Sequence, residues 1–116
     1  MFRVIIAGSR SFNDYEYLKK YMDFLLQNKK EVVILCGEAC GADALGKRYA
    51  QERGFAVQSF PADWQRFGRA AGPLRNRQMA ACADACVVFW VGSSPGSASM
   101  VTEARRAGLA LRVRRF

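Results

Sequence analysis

Short apolar runs that stop at a glycine or proline recur along this 116-residue chain, and each gives way to a stretch of helical character. Arg3–Ala7 closes at Gly8, Glu31–Cys36 at Gly37, Phe55–Phe60 at Pro61 and Ala85–Val91 at Gly92. Runs of this length are too short for buried helices, so they read as strands. Between them the period changes. Leu18, Tyr21, Met22, Leu25 and Leu26 fall at i, i+3, i+4, i+7 and i+8, the apolar stripe of a helix. Strands alternating with helices at this spacing pair in parallel and carry helices on both faces of one sheet.

The boundaries follow from local chemistry. Asn13 with Glu16 approximates a capping box for the first helix, and a second runs from Ala42 to Arg53, stopped by Gly54. Residues 61–72 read as a long connection carrying Trp64, Phe67 and two arginines. Pro73 suits the first turn of a helix reaching about Ala83. Ala85–Val91 is the most hydrophobic segment and is expected at the sheet centre, buried on both faces. A Ser/Gly/Pro loop at 92–96 then opens a helix ending near Ala107. Leu109, Leu111 and Val113 alternate with Ala110, Arg112 and Arg114, which predicts an edge strand with one polar face. The expectation is an α/β, Rossmann-like, three-layer domain of about five mostly parallel strands. At this length, residues 1–116 form a single domain.

Composition narrows the function classes. With 51% hydrophobic and 24% charged residues, the chain is not a disordered one. Its longest apolar stretch falls far short of the roughly 20 residues that span a bilayer, and its start lacks a signal-peptide pattern. A soluble, cytoplasmic protein with no membrane partner is expected. There is no histidine, so Ser-His-Asp and Cys-His catalysis are excluded. Four cysteines occur as Cys36-x3-Cys40 and Cys82-x3-Cys86; Cys36 and Cys86 fall in apolar strands, and neither spacing is that of a zinc knuckle. No metal, disulfide or cofactor is expected. The net charge is +8, with Arg66, Arg69, Arg75 and Arg77 against Asp63 alone in residues 61–80. That cluster lies among aromatics and suits an anionic partner.

Ligands of open parallel sheets bind beyond the carboxyl ends of the strands. Four small-residue segments are expected at that edge: Gly8–Ser11, Gly37–Asp43, Gly72–Asn76 and Gly92–Ser97. Each precedes a helix, where free backbone N–H groups and the helix dipole favour phosphate. Neither G-x-G-x-x-G nor a Walker A motif is present, which argues against ordinary NAD enzymes and P-loop NTPases.

Val4-Ile5-Ile6-Ala7-Gly8-Ser9-Arg10-x-Phe12, Gly-x-x-x-Gly-Ala-Asp at 37–43, and Phe60-Pro61-Ala62-Asp63-Trp64 stand in order along the chain. Ala71-Gly72-Pro73-x-Arg75-Asn76 and Phe89-Trp90 through Gly96-Ser97 follow them. Together these elements resemble the YspA-type, cpYpsA-related branch of the SLOG superfamily. The resemblance implies a Rossmann-like fold that binds nucleotides or nucleotide-derived molecules. It also implies kinship in fold with the LOG phosphoribohydrolases and with DprA proteins, which bind single-stranded DNA. Two loops depart from the family pattern. Glu38 and Cys40 stand where Gly and Arg are usual, and Ser97 replaces a Thr.

The candidate ligand-binding residues are Gly8, Ser9, Arg10, Gly37, Gly41, Asp43, Trp64, Gly72, Arg75, Asn76, Gly96 and Ser97. Arg10 clamps a phosphate or pairs with Asp14. Ser9 donates to phosphate or caps the following turn. Asp43 caps its helix or accepts a ribose hydroxyl. Trp64 stacks on a base or folds its loop onto the domain. Arg75 reads as an exposed first-turn arginine facing an anion, and Asn76 as a partner for a ribose hydroxyl or a loop carbonyl. Glu103, about two turns into its helix, reads as an ordinary polar-face residue. Catalytic residues are not assigned. The leading expectation is a sensor, carrier or sequestering module for a nucleotide-derived molecule, acting as a homo-oligomer. The alternatives are a nucleotide N-glycosidic hydrolase, whose Gly-Gly-x-Gly-Thr plus Glu element is incomplete here, and a single-stranded DNA binder.

Overall fold

The computed structural model describes all 116 residues. Five strands form one sheet: β1 (Phe2–Gly8), β2 (Val32–Cys36), β3 (Ala56–Ser59), β4 (Ala85–Trp90) and β5 (Ala110–Arg115). Their order is β3-β2-β1-β4-β5, and every pairing is parallel. The fold is α/β and Rossmann-like. Strand order reverses between β1 and β4, whose register sets Gly8 opposite Phe89.

Alternation along the strands divides the core in two. Val4, Ile6, Val32, Ile34, Val87 and Phe89 face α1 (Tyr15–Leu26) and α2 (Ala42–Arg53), where Leu18, Met22 and Tyr49 are fully buried. Ile5, Ala7, Leu35, Cys86 and Val88 face α4 (Ala71–Cys82) and α5 (Pro95–Arg106), against Met79, Met100 and Ala104. Continuous apolar runs in β1 and β4 reflect this double burial. β5 is an edge strand, with Leu111 and Val113 half-buried and Arg112 and Arg114 exposed.

Three boundaries differ from the sequence expectation. The cap of α1 is Asp14, whose carboxylate accepts the Tyr17 N–H at 3.1 Å, so the helix is capped one residue later than the Asn13–Glu16 box places it. The connection after Pro61 is not irregular throughout. Asp63 caps a one-turn helix α3 (Trp64–Phe67), and a 3-10 turn over Gly68–Ala70 leads directly into α4. That turn carries α4 back to Ala71, placing Gly72 and Pro73 inside the helix and Arg75 beyond its first turn. An α-helix start was legible at Pro73, but the preceding 3-10 turn has no comparable marker.

Candidate functional site

The reversal of strand order parts the loops after β1 and β4, and a cleft of about 580 Å³ opens between them. One wall is the Gly8–Ser11 turn and another the start of α5. The first turns of α4 and the α3 segment close the opposite side. Of the candidate residues, Gly8, Ser9, Arg10, Asp43, Trp64, Gly72, Arg75, Asn76 and Gly96 line it. Gly37, Gly41 and Ser97 do not; they lie behind the lining and shape it.

Close packing explains those three. A Cβ at Gly37 would sit 2.3 Å from Arg75 Nη1 and 3.0 Å from Asp43 Oδ2, so only glycine lets both side chains approach. Gly41 adopts φ +68°, and a Cβ there would meet the Ser9 and Arg10 carbonyls. Ser97 is 1% exposed and belongs to a hydroxyl chain. Ser94 donates to Ser97 at 2.9 Å, and Ser97 and Ser9 lie 3.3 Å apart. Ser9 Oγ accepts the Val91 N–H at 2.8 Å and donates to the Val91 carbonyl. Both hydroxyls therefore join the β1 turn to the start of α5 inside the protein. Ser94 also caps α5 through the Ser97 N–H, and Pro95 occupies the first helical position. The Gly96 N–H, like those of Arg10 and Ser11, makes no hydrogen bond within the chain.

Arg75 is not the exposed first-turn residue expected. It is half-buried; Nη1 donates to the carbonyls of Gly37 and Phe60, and Nε donates to Asn76 Oδ1 at 2.9 Å. Burial lowers its guanidinium below the ordinary arginine range; the nearby Asp43 charge opposes this and the Arg10 charge adds to it. Nη2 makes no bond to the chain and is left for the cleft. Asn76, 5% exposed, passes the connection on by donating to Ser99 Oγ at 3.2 Å.

Asp43 is the one carboxylate in the lining, and it is 6% exposed. Burial pushes its carboxyl above the usual aspartate range, although the Ala39 N–H at 3.1 Å and the positive charge of Arg75 partly offset that. No arginine lies within ion-pair distance of it. Arg10 is exposed, and Asp14 is engaged as a helix cap instead of pairing with it. Trp64 is 52% exposed, and the edge of its indole faces Gly72, where an added Cβ would lie 3.3 Å away.

Arg69, Ser11 and Ser93 also line the cleft; sequence reasoning placed them in the basic cluster or the edge segments without naming them as ligand residues, and it missed Ser99, another lining residue, altogether. For Ser99 the available signal was its helical spacing of three from Gly96. Glu103 is not on a solvated polar face. It is 7% exposed and held between Arg77 and Arg106 at 3.5 and 3.6 Å, away from the cleft lining. Cys36 and Cys86 are buried, and Cys40 and Cys82 exposed; burial pushes the Cys86 thiol up to about 12.

Comparisons with known proteins agree with the fold. The Gene 61 protein of Mycobacterium phage D29 is 37% identical over 116 residues, covering 94% of this chain and 93% of its own length. The crystal structure of TM1055, a structural-genomics target, superposes at a TM-score of 0.67 with 19% identity, over 96% of this chain and 72% of that one. DNA processing protein A (DprA) from Streptococcus pneumoniae has the same fold, at a TM-score of 0.60 and 15% identity. This chain spans 97% of itself but 58% of the DprA chain in that match. The model of the YspA, cpYpsA-related SLOG family matches residues 2–67, from β1 through α3, a stretch that supplies Arg10, Asp43 and Trp64 to the cleft. By that match, and by its likeness to the phage protein, the chain belongs to the YspA, cpYpsA-related SLOG family.

Proposed function

We propose that residues 1–116 act as one SLOG domain binding a nucleotide or nucleotide-derived molecule in the cleft between β1 and β4. One observation carries this reading. Three arginines (Arg10, Arg69 and Arg75), unpaired amides at Arg10, Ser11 and Gly96, a single buried carboxylate and an exposed tryptophan all border one 580 Å³ space. Membership of the family supports a nucleotide-related role. In this reading the phosphate lies toward the start of α5, where free amides and the helix dipole meet Arg10. Asp43 accepts a sugar hydroxyl, and the base lies on Trp64. Native mass spectrometry of freshly purified protein should detect a co-purified nucleotide. AMP and ADP-ribose should raise the melting temperature and be recovered unchanged. Release of free base or ribose phosphate on long incubation would replace the binding module with a hydrolase.

A second reading draws on one feature. The α3 segment buries no residue and presents Trp64 and Phe67, 52% and 43% exposed, beside Arg66 and Arg69. Aromatic faces among arginines suit a single nucleic-acid strand, and a DNA processing protein shares the fold. Oligo-dT that binds and displaces AMP would favour it. We also propose self-association, supported by Phe24 at 66% exposure on α1. A monomeric mass in light scattering would overturn that.

A further inference from the structure

We propose that Ser99 is a ligand-binding residue of the cleft, its hydroxyl set as a donor toward an anionic oxygen by Asn76 and Arg75. This rests on the binding reading above and deepens it. Arginine has donors only, so the atom of the Asn76 amide that faces Arg75 Nε at 2.9 Å must be the oxygen. That fixes the amide: its NH2 group points the other way and donates to Ser99 Oγ at 3.2 Å. Arg75 is itself held by the carbonyls of Gly37 and Phe60, and Asn76 is 5% exposed, so neither side chain is free to turn over.

Ser99 Oγ is thereby an acceptor toward Asn76, and its single proton must go elsewhere. The usual outlet for a helical serine is the carbonyl four residues back. Thr102 takes that outlet, donating to the Ala98 carbonyl at 3.1 Å, but Ser99 does not. The one side-chain hydrogen bond Ser99 makes within the chain is as acceptor from Asn76, so its proton has no partner there, and the residue lines the cleft. Gly96, three residues earlier on the same helix face, brings its unpaired N–H to the same wall. A hydroxyl proton and a free amide beside arginines call for an acceptor of phosphate type. Ser97 has the opposite arrangement, with its hydroxyl consumed between Ser94 and Ser9.

The test is calorimetric titration of inorganic phosphate and of AMP into the whole protein. Ser99→Ala, which favours the helix, should weaken both by about tenfold, the loss of a hydrogen bond to a charged group. Ser99→Thr keeps the hydroxyl and should stay within about threefold of the wild type, which separates donation from packing. Asn76→Asp keeps the shape but offers only acceptors, so the Ser99 proton turns inward. It should weaken phosphate binding more in the wild-type background than in the Ser99→Ala background. Equal effects in the two backgrounds overturn the relay. Unchanged phosphate and AMP affinity in Ser99→Ala overturns the role of Ser99 and leaves the binding reading standing. Failure of the wild type to bind either probe overturns both.

Discussion

Arg75 on α4 donates to the backbone carbonyl of Gly37, 38 positions earlier at the end of β2. The same nitrogen reaches the Phe60 carbonyl just after β3, so one side chain fastens two strand ends to a helix. Arg75→Ala should therefore unfold the protein more easily, contrary to the near-neutral effect expected of an exposed first-turn arginine. Leaving the Gly37 carbonyl and Asn76 Oδ1 without their donor should cost about 2–3 kcal/mol, roughly 10 °C in Tm. Arg112→Ala, on the exposed face of β5, should lie within about 0.5 kcal/mol of wild type. Thermal unfolding of the two variants checks the contrast, and an unchanged Tm for Arg75→Ala would sink the fastening role.

Asp43 makes stability depend on pH in an uncommon direction. Its carboxyl is raised above the ordinary aspartate value by burial, so the folded chain holds the proton more tightly than the unfolded chain does. Ionising it, as the pH rises from 3.8 through that raised value, costs stability, and the penalty persists at neutral pH. Asp43→Asn, which still accepts the Ala39 N–H, should raise the Tm of the ligand-free protein at pH 7 by a few degrees. The gain should shrink toward pH 4. A lower Tm at pH 7 would mean that the charge itself holds the 37–43 loop.

Trp64 offers a test of what lies on the cleft wall. At 52% exposure it contributes little to the core, so Trp64→Ala should leave Tm almost unchanged. Its loss should weaken AMP by about ten- to hundredfold through lost stacking, while inorganic phosphate binds as before. Equal weakening of both probes would remove the base from this wall.

Two glycines of the same cleft should respond oppositely to alanine. Gly8 has φ +153°, and a Cβ there would lie 2.1 Å from the Phe89 carbonyl oxygen, backbone that cannot give way. Gly8→Ala should fold poorly or lose several kcal/mol. Nothing lies within 4 Å of a Cβ at Gly96, which is helical, so Gly96→Ala should fold as well as wild type or better. Its methyl lines the cleft and should weaken phosphate binding. Circular dichroism and titration of both variants check the pair.

Much of this was legible in the sequence because the period of the apolar residues reports strand and helix directly. Val4–Ala7 and Ala85–Phe89 are apolar at every position, and both faces of β1 and β4 prove buried. The loops were found for the same reason: glycines that end parallel strands fall on the edge where ligands bind. What the residues do there was less legible. Ser9 and Ser97 carry hydroxyls at plausible places, yet 88 positions apart they bond to each other. Arg75 reads from sequence as an exposed first-turn residue facing an anion, because its partners, the carbonyls of Gly37 and Phe60, lie just beyond other strands, and no local pattern announces a backbone acceptor. Ser99 became visible only once the Asn76 amide was oriented.

The cleft joins two regions of different firmness. Its floor, where Arg75, Asn76 and Ser99 are bonded across β2, α4 and α5, is stitched into the sheet; its outer wall, Trp64–Ala70, contains no buried residue. Amides of 65–70 should exchange with solvent orders of magnitude faster than those of β1 and β4. A floor already in place should take little ordering if a nucleotide binds as proposed. In the proposed binding reading, substitutions at 64–70 should therefore change affinity while leaving the stability of the sheet nearly untouched.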